Sequence, residues 1–400
     1  MRAERQAAAA DFAHAEMPTE ALEEWRYSRI ADLDLERYGL PKEGAGEIAT
    51  PDPAVAELLA ALHDAVVVRT LDGRLTSADP GDGIQVVDRS GTDGAPADSW
   101  GRDSDPYATL NRAFAPTWLH VHAGTAEART LVIVHQISDA PVAAFPRTCI
   151  EAARLAEINV IEIIAGGKGA LVCPVTRLEV GEGARLNYTL VQLLDSTAWQ
   201  IASQSSSVGR DASLVSAAVA LGGDYARLRS ESSLVAPGAG GRLLALYFGA
   251  GSQMPDFRTV QHHAAPKTQS ELLYKGVVAD ESHSVYSGLI RVDKGAGGTN
   301  AMQTNRNLVL NEGAHADSVP NLEIEDNDVR CSHASAVGPI ADDQRFYLES
   351  RGVPSRVADR LIALGFMDEL LQQLPTGELR LPLRGMLASK LSNVEAVSGG

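Results

Sequence analysis

GEGARLNYTL at 181–190, DSTAWQIA at 195–202, GRDASLVSAAV at 209–219, GGDYARLRS at 222–230 and GAGGRLLALYF at 238–248 repeat one pattern. Each is a Gly/Asp/Ser turn that leads into alternating apolar residues. A small residue marks each transition, at Ala184, Ala198, Ala212, Ala226 and Gly241, in steps of 14 or 15 residues. The same step lands near Asp256, Ser270, Ser284, Gly298 and Ala314, again at turn-to-strand transitions such as ADESHSVYSGLI and NEGAHADSVPNLEI. The gaps are too short for crossover helices, so a parallel α/β sheet does not fit. A parallel β-helix does, because turns that cannot bury their apolar face alone share a core when stacked, and small residues suit the tight corners. An antiparallel meander or sandwich has similar spacing and stays open from the pattern alone.

Outward from this ladder the texture changes on both sides. Residues 72–107 are rich in Gly, Asp, Ser and Pro and read as long exposed loops. Before them, PTEALEEWRYSRI favours helix, with Trp25 and Tyr27 as anchors on the body of the protein, and disorder is expected before about residue 16. After residue 340, Leu361, Leu364, Leu370 and Leu371 recur at helical spacing, with Pro354 and Gly365 as punctuation between short helices. The expected division is an N-terminal helical and mixed region with long loops over 1–115, a β-helix core over 116–338, and a C-terminal helical domain over 339–400.

With 52 acidic against 35 basic residues, the net charge of −17 opposes nonspecific attraction to nucleic acid. No run approaches a membrane span and the start lacks a signal-peptide core, so neither membrane nor export is expected and the location read from the sequence is cytoplasmic. Cys149, Cys173 and Cys331 are far apart and read as reduced thiols.

Catalytic machinery is mostly missing. AGGKGA around Lys168 lacks phosphate-loop spacing and reads as a turn, and HExxH, GxSxG and an NAD-type GxGxxG are absent. His120 and His122 alternate, His262 and His263 are adjacent, and Cys331 and His333 lie two apart in VRCSHASAVG. On a strand the last pair would present a thiol and an imidazole on one face, a donor set suited to iron but too small to complete a site. A buried thiol beside a hydrogen-bonded imidazole is the plain structural alternative.

Three stretches resemble the SufD proteins of the SufB/SufD family: PTEALEEWRYSRI, the run from HHAAPKTQ to QTNRNLVL, and PNLEIEDNDVRCSHASAVGPIADDQRFYLESRGV. The similarity is best over residues 255–366, and the C-S-H motif, LEI and QTNRNLVL resemble SufD more than SufB. Ala334, Ser335 and Ala336 stand where the family commonly has Gly-Ala-Thr, and Ala334 restricts the backbone next to His333. The resemblance implies a right-handed parallel β-helix flanked by helical regions, and a scaffold for iron–sulfur cluster assembly rather than an enzyme. It implies a heterodimer with SufB through the β-helix, binding of the SufC ATPase by the C-terminal helices, and no permanent cofactor. A transient iron or iron–sulfur cluster would sit between the partners, with His333 as the leading candidate ligand and Cys331 the second. A homodimer working without SufB and a β-helix enzyme acting on carbohydrate or acyl groups are the competing readings.

Overall fold

The alternating runs form two facing sheets, because residues two apart share a face of a strand and each apolar row needs a partner row to leave water. In the computed structural model, which describes residues 2–42, 52–78, 84–88, 105–124 and 128–397, successive strands from Val175–Val180 onward alternate between the two sheets. The 14- or 15-residue step is therefore half a coil. A full coil separates ladder partners such as Arg185 and Ser213, and every pairing from Glu157–Gly166 onward is parallel. The fold is thus mainly β, a parallel solenoid with flanking helices. The corner residues Ala184, Ala198, Ala212, Ala226 and Ala314 are buried, as the tight turns require.

Among the described residues the first sheet has ten strands and runs from Arg74–Ala78 to Val329–Pro339; the second has eleven and ends on His315–Ile324. Between them lies the main apolar core, which includes Ile158, Leu186, Leu214, Leu228, Leu243, Phe257 and Tyr286. The parallel stack reaches back before residue 116, because Val66–Leu71 pairs in parallel with Arg129–Ile137. Of the stretch expected as long loops, Arg74–Ala78 and Ile84–Asp88 are strands; residues 79–83 and 89–104 lie outside the described residues.

Helices cover the outer faces. Helix α1 (Arg2–His14) occupies the segment expected to be disordered. It lies against α3 (Pro106–Phe114), where Arg5 donates to the carbonyls of Ala115 and Pro116 and Arg112 pairs with Asp11. Between them in sequence is α2 (Pro53–Ala61), with Asp52 capping its first turn. After the last strand come α4 (Asp342–Ser350), α5 (Ser355–Leu371) and α6 (Arg380–Val397). Pro354 caps α5 as expected, but Gly365 lies inside that helix rather than between two. The roughly 1 kcal/mol a helical glycine costs is outweighed by burial of Ala363, Leu364, Met367 and Leu370. These side chains, with Leu379, Leu383, Leu387 and Leu391, form one apolar cluster with Val134, Val191, Leu246 and Val277 on the first sheet's outer face.

The outer face of the second sheet is closed by the segment around Trp25, which joins Tyr107, Trp199, Tyr225 and Met254 in a separate apolar cluster. Its centre is charged. Asp256, fully buried, accepts from Tyr225, Arg227 and Arg258. Those two arginines donate to the carbonyls of Glu24 and Arg26, and Trp25 lies 3.8 Å from the Arg227 guanidinium. The WRY segment and the second-sheet residues Arg227, Asp256 and Arg258 are therefore one structural unit.

Candidate functional site

A solenoid has two ends, and the end at the last coil is open. Among the described residues no strand lies beyond His315–Ile324 or Val329–Pro339, so both present unpaired backbone and the inward faces of both lack a covering coil. The parallel register sets which side chains face the lumen there. Cys331 pairs with Ala301 and His333 with Gln303, and both lower residues are buried in the interior. Cys331 and His333 thus point into the lumen at its mouth, the thiol half-buried and the imidazole exposed. Alternation along the strand puts the two side chains on one face. Ala334 lies within the strand and has no positive φ, so the extended backbone beside His333 takes an alanine without strain.

Burial raises the Cys331 thiol above its ordinary pKa, with a hydrogen bond to the Ala301 backbone acting the other way. The group rests as a thiol at neutral pH and must lose its proton to bind a metal. Val329 and Cys331 pack on Ile290, Val292, Ala296 and Ala301, which anchors one end of the strand. Further along the strand, Ser335 Oγ donates to Ser318 Oγ at 2.8 Å and ties the two final strands together across the mouth.

Two features of this end are invisible in the C-x-H motif. Gln303, directly below His333, is fully buried, and neither its Nε2 nor its Oε1 has a hydrogen-bond partner. Gly288 makes room for it, since a Cβ there would stand 2.4 Å from Gln303 Nε2. The second feature is the apolar rim: Leu322, Ile324 and Val337 are 37–45% exposed around the opening. Period-two counting from Cys331 reaches Val337, and from Leu322 reaches Ile324, but only the missing coil makes them a surface.

The other candidate groups are occupied. His120 and His122 share Glu151, at 3.2 and 3.4 Å, and His262 pairs with Asp293 at 2.8 Å. His263 lies in the lumen between Thr268 and Ser270, and burial lowers it to about 4. Cys149 is pushed up to about 12 by burial and Cys173 is raised as well, so both are inert thiols. The Lys168 segment is a turn, held by Asp139 accepting from its backbone N–H.

Deeper in the lumen, Glu162 accepts from Thr148 and Thr176 and from Tyr188, and pairs with His135 at 2.7 Å. Burial alone would raise this carboxyl, yet its hydrogen bonds hold it below the ordinary value. It is a closed network and offers no free donor.

After the last strand, α4 buries none of its side chains. Phe346 and Tyr347 are 71% and 59% exposed, and Val357 and Leu361 on α5 are also exposed. These are exposed apolar side chains on two helices, of which α5 is locked to the first sheet and α4 is tied to α5 through Arg345 and Asp359.

A family model for the SUF system FeS cluster assembly SufBD core domain matches residues 134–366. The chain is 28% identical to the iron–sulfur cluster assembly protein SufD of Escherichia coli, over 94% of this chain and 89% of that protein. It is 27% identical to SufD of Bacillus subtilis, over 65% of this chain and 60% of that one. To the iron–sulfur cluster assembly SufBD family protein Rv1462 of Mycobacterium tuberculosis it is 36% identical over 54% of this chain, a match that spans 57% of that relative's length. No described helix is long and apolar enough to cross a membrane.

Proposed function

Because the chain belongs to the SufBD core family of the SUF iron–sulfur cluster assembly system, we propose that it is a SufD-like scaffold subunit without catalysis of its own. Its open solenoid end pairs with a SufB-type partner, and its C-terminal helices bind a SufC-type ATPase. His333, with Cys331 second, contributes to iron acquisition or cluster assembly between the two solenoids, and the cluster is cargo rather than a resident group.

The observation that carries this reading is the pair of metal-capable side chains at an unpaired, apolar-rimmed mouth. One imidazole and one thiol cannot fill the four positions of an iron or cluster site. A facing surface can. Leu322, Ile324 and Val337 supply the apolar area that such a surface would bury, and the two strand edges supply backbone donors and acceptors. The ATPase assignment draws on the missing phosphate loop, which leaves nucleotide chemistry to a partner, and on the exposed Phe346, Tyr347, Val357 and Leu361.

The test is co-expression with SufB and SufC partners and affinity capture through this chain. Ile324→Asp with Val337→Asp places two charges on the rim, where no interior packing depends on them. SufB is expected to be lost from the captured complex at unchanged circular dichroism and melting temperature. Undiminished SufB recovery would remove the open end as the pairing surface.

A further inference from the structure

Where the second sheet leaves the cover of the N-terminal segment, its outer face changes from apolar to imidazole. Trp199, Tyr225 and Met254 follow one another in register in one outward row, all within the apolar cluster around Trp25. The next position is His283, two residues before the Asp256–Val285 pair, with its backbone N–H donating to Gln253 O. After it comes His315, its ladder partner. Asp317 lies two residues beyond His315 and so on the same face, whereas Ala316 and Ser318 between and beyond them face inward. The row therefore ends in two neighbouring imidazoles and a carboxylate, none of which takes part in the lumen-facing site.

We propose that His283, His315 and Asp317 form a site for a divalent first-row transition cation, Zn²⁺ or Fe²⁺, on the outside of the last two coils. His283 Nε2 is 2.7 Å from Asp317 Oδ2, and His315 Nε2 is 3.4 Å from Asp317 Oδ1. The three residues each offer a ligand atom, all within 4.8 Å of one another. A cation bound at ordinary zinc–nitrogen and zinc–oxygen lengths holds its donors about 3.3 Å apart, so only small side-chain rotations separate the present arrangement from a closed one. Two imidazoles and one carboxylate suit a borderline cation better than Ca²⁺ or Mg²⁺, which prefer all-oxygen sets. His315 is 66% exposed and the other two are partly exposed, so a cation can enter from solvent and keep water in its remaining positions. The parallel stack supplies the rigidity, because adjacent coils hold the two imidazoles in register with ring centres 5.0 Å apart.

The experiment titrates metal-free full-length protein with Zn²⁺, and with Co²⁺ as a spectroscopic probe of nitrogen and oxygen coordination. One equivalent is expected to bind with visible Co²⁺ bands. His315→Ala and Asp317→Asn should each weaken it at least tenfold, with circular dichroism unchanged, since both side chains stand on an outer face. His333→Ala is expected to leave this binding intact, which separates the site from the one at the lumen mouth. Binding that is equal in wild type, His315→Ala and Asp317→Asn, or no stoichiometric binding in wild type, overturns the proposal.

Discussion

Asp256→Ala tests how the N-terminal segment is held and why its WRY residues matter. The carboxylate is fully buried and accepts from Tyr225 Oη at 2.7 Å, Arg227 Nη1 at 2.9 Å and Arg258 Nε at 2.5 Å. Removing it leaves two nearly buried guanidinium groups without the carboxylate that both pair with. Breaking a buried pair by deleting one partner costs about 3–5 kcal/mol, because the surviving charge stays desolvated. The loss should not spread evenly. Arg227 and Arg258 are also the donors to the Glu24 and Arg26 carbonyls, and Arg227 carries the Trp25 ring, so residues 23–37 lose their attachment first. Urea unfolding gives the total, and amide hydrogen exchange gives its distribution. A loss in that range is expected, with strongly accelerated exchange over residues 23–37 and protected exchange in the solenoid strands. A loss under about 1 kcal/mol, the size of a surface ion pair, or unchanged exchange in that segment would refute the reasoning.

Three further outcomes follow from the same structure. Burial alone would raise the Asp256 carboxyl, but Arg227 and Arg258 hold it below its ordinary value of 3.8. Its folded pKa is thus below its unfolded one, and its contribution is present above about pH 4 and is lost as pH falls through the folded value. The stability gap between wild type and Asp256→Asn should accordingly narrow in acid unfolding below pH 4. Lys390 is lowered to about 7 by burial, so between pH 7 and its unfolded value of 10.5 the unfolded chain binds more protons and stability gains with rising pH; Lys390→Met should flatten that rise in urea titrations. Gly288→Ala would set a Cβ 2.2 Å from Tyr286 Oη and 2.4 Å from Gln303 Nε2, an overpacking worth about 1–3 kcal/mol by thermal or urea unfolding, with displacement of the side chain beneath His333.

Much of the fold is legible in the sequence because a solenoid writes its period into the chain: Ala184, Ala198 and Ala212 mark corners that only small residues fill. That the step is half a coil is not legible, since partners across 28 residues look no different from neighbours across 14. The early coil at Val66–Leu71 escapes notice because its partner Arg129–Ile137 lies about sixty residues on. Helix α1 escapes because MRAERQAAAADFAHAE is poor in large apolar residues and is held through Arg5, Ala8 and Asp11 against α3. At the site, the shared face of Cys331 and His333 follows from alternation. Their position at an uncovered mouth, with unpartnered Gln303 below, depends on where the stack stops and on a register thirty residues away. The cation cluster is hidden for the same reason, with His283 and His315 adjacent only through the ladder.

Point substitutions, rather than deletion of the helical segment, test the proposed ATPase contact without unpacking the sheet. Deleting residues 345–375 would strip Ala363, Leu364, Met367 and Leu370 from the first sheet's outer face and expose its core. Phe346→Ala with Tyr347→Ala leaves that packing alone and should lower SufC capture without lowering the melting temperature; SufC capture at the wild-type level would reject the assignment.

Whether the lumen-facing donors at the open end serve cluster assembly rather than packing is read most directly from iron and acid-labile sulfide per intact complex of His333→Ala, beside Cys331→Ala and wild type. His333 is exposed in the isolated chain, so its loss should leave the melting temperature and SufB capture unchanged. Iron and sulfide should fall clearly in His333→Ala and less in Cys331→Ala. Wild-type iron and sulfide in the His333→Ala complex would contradict a role in cluster assembly.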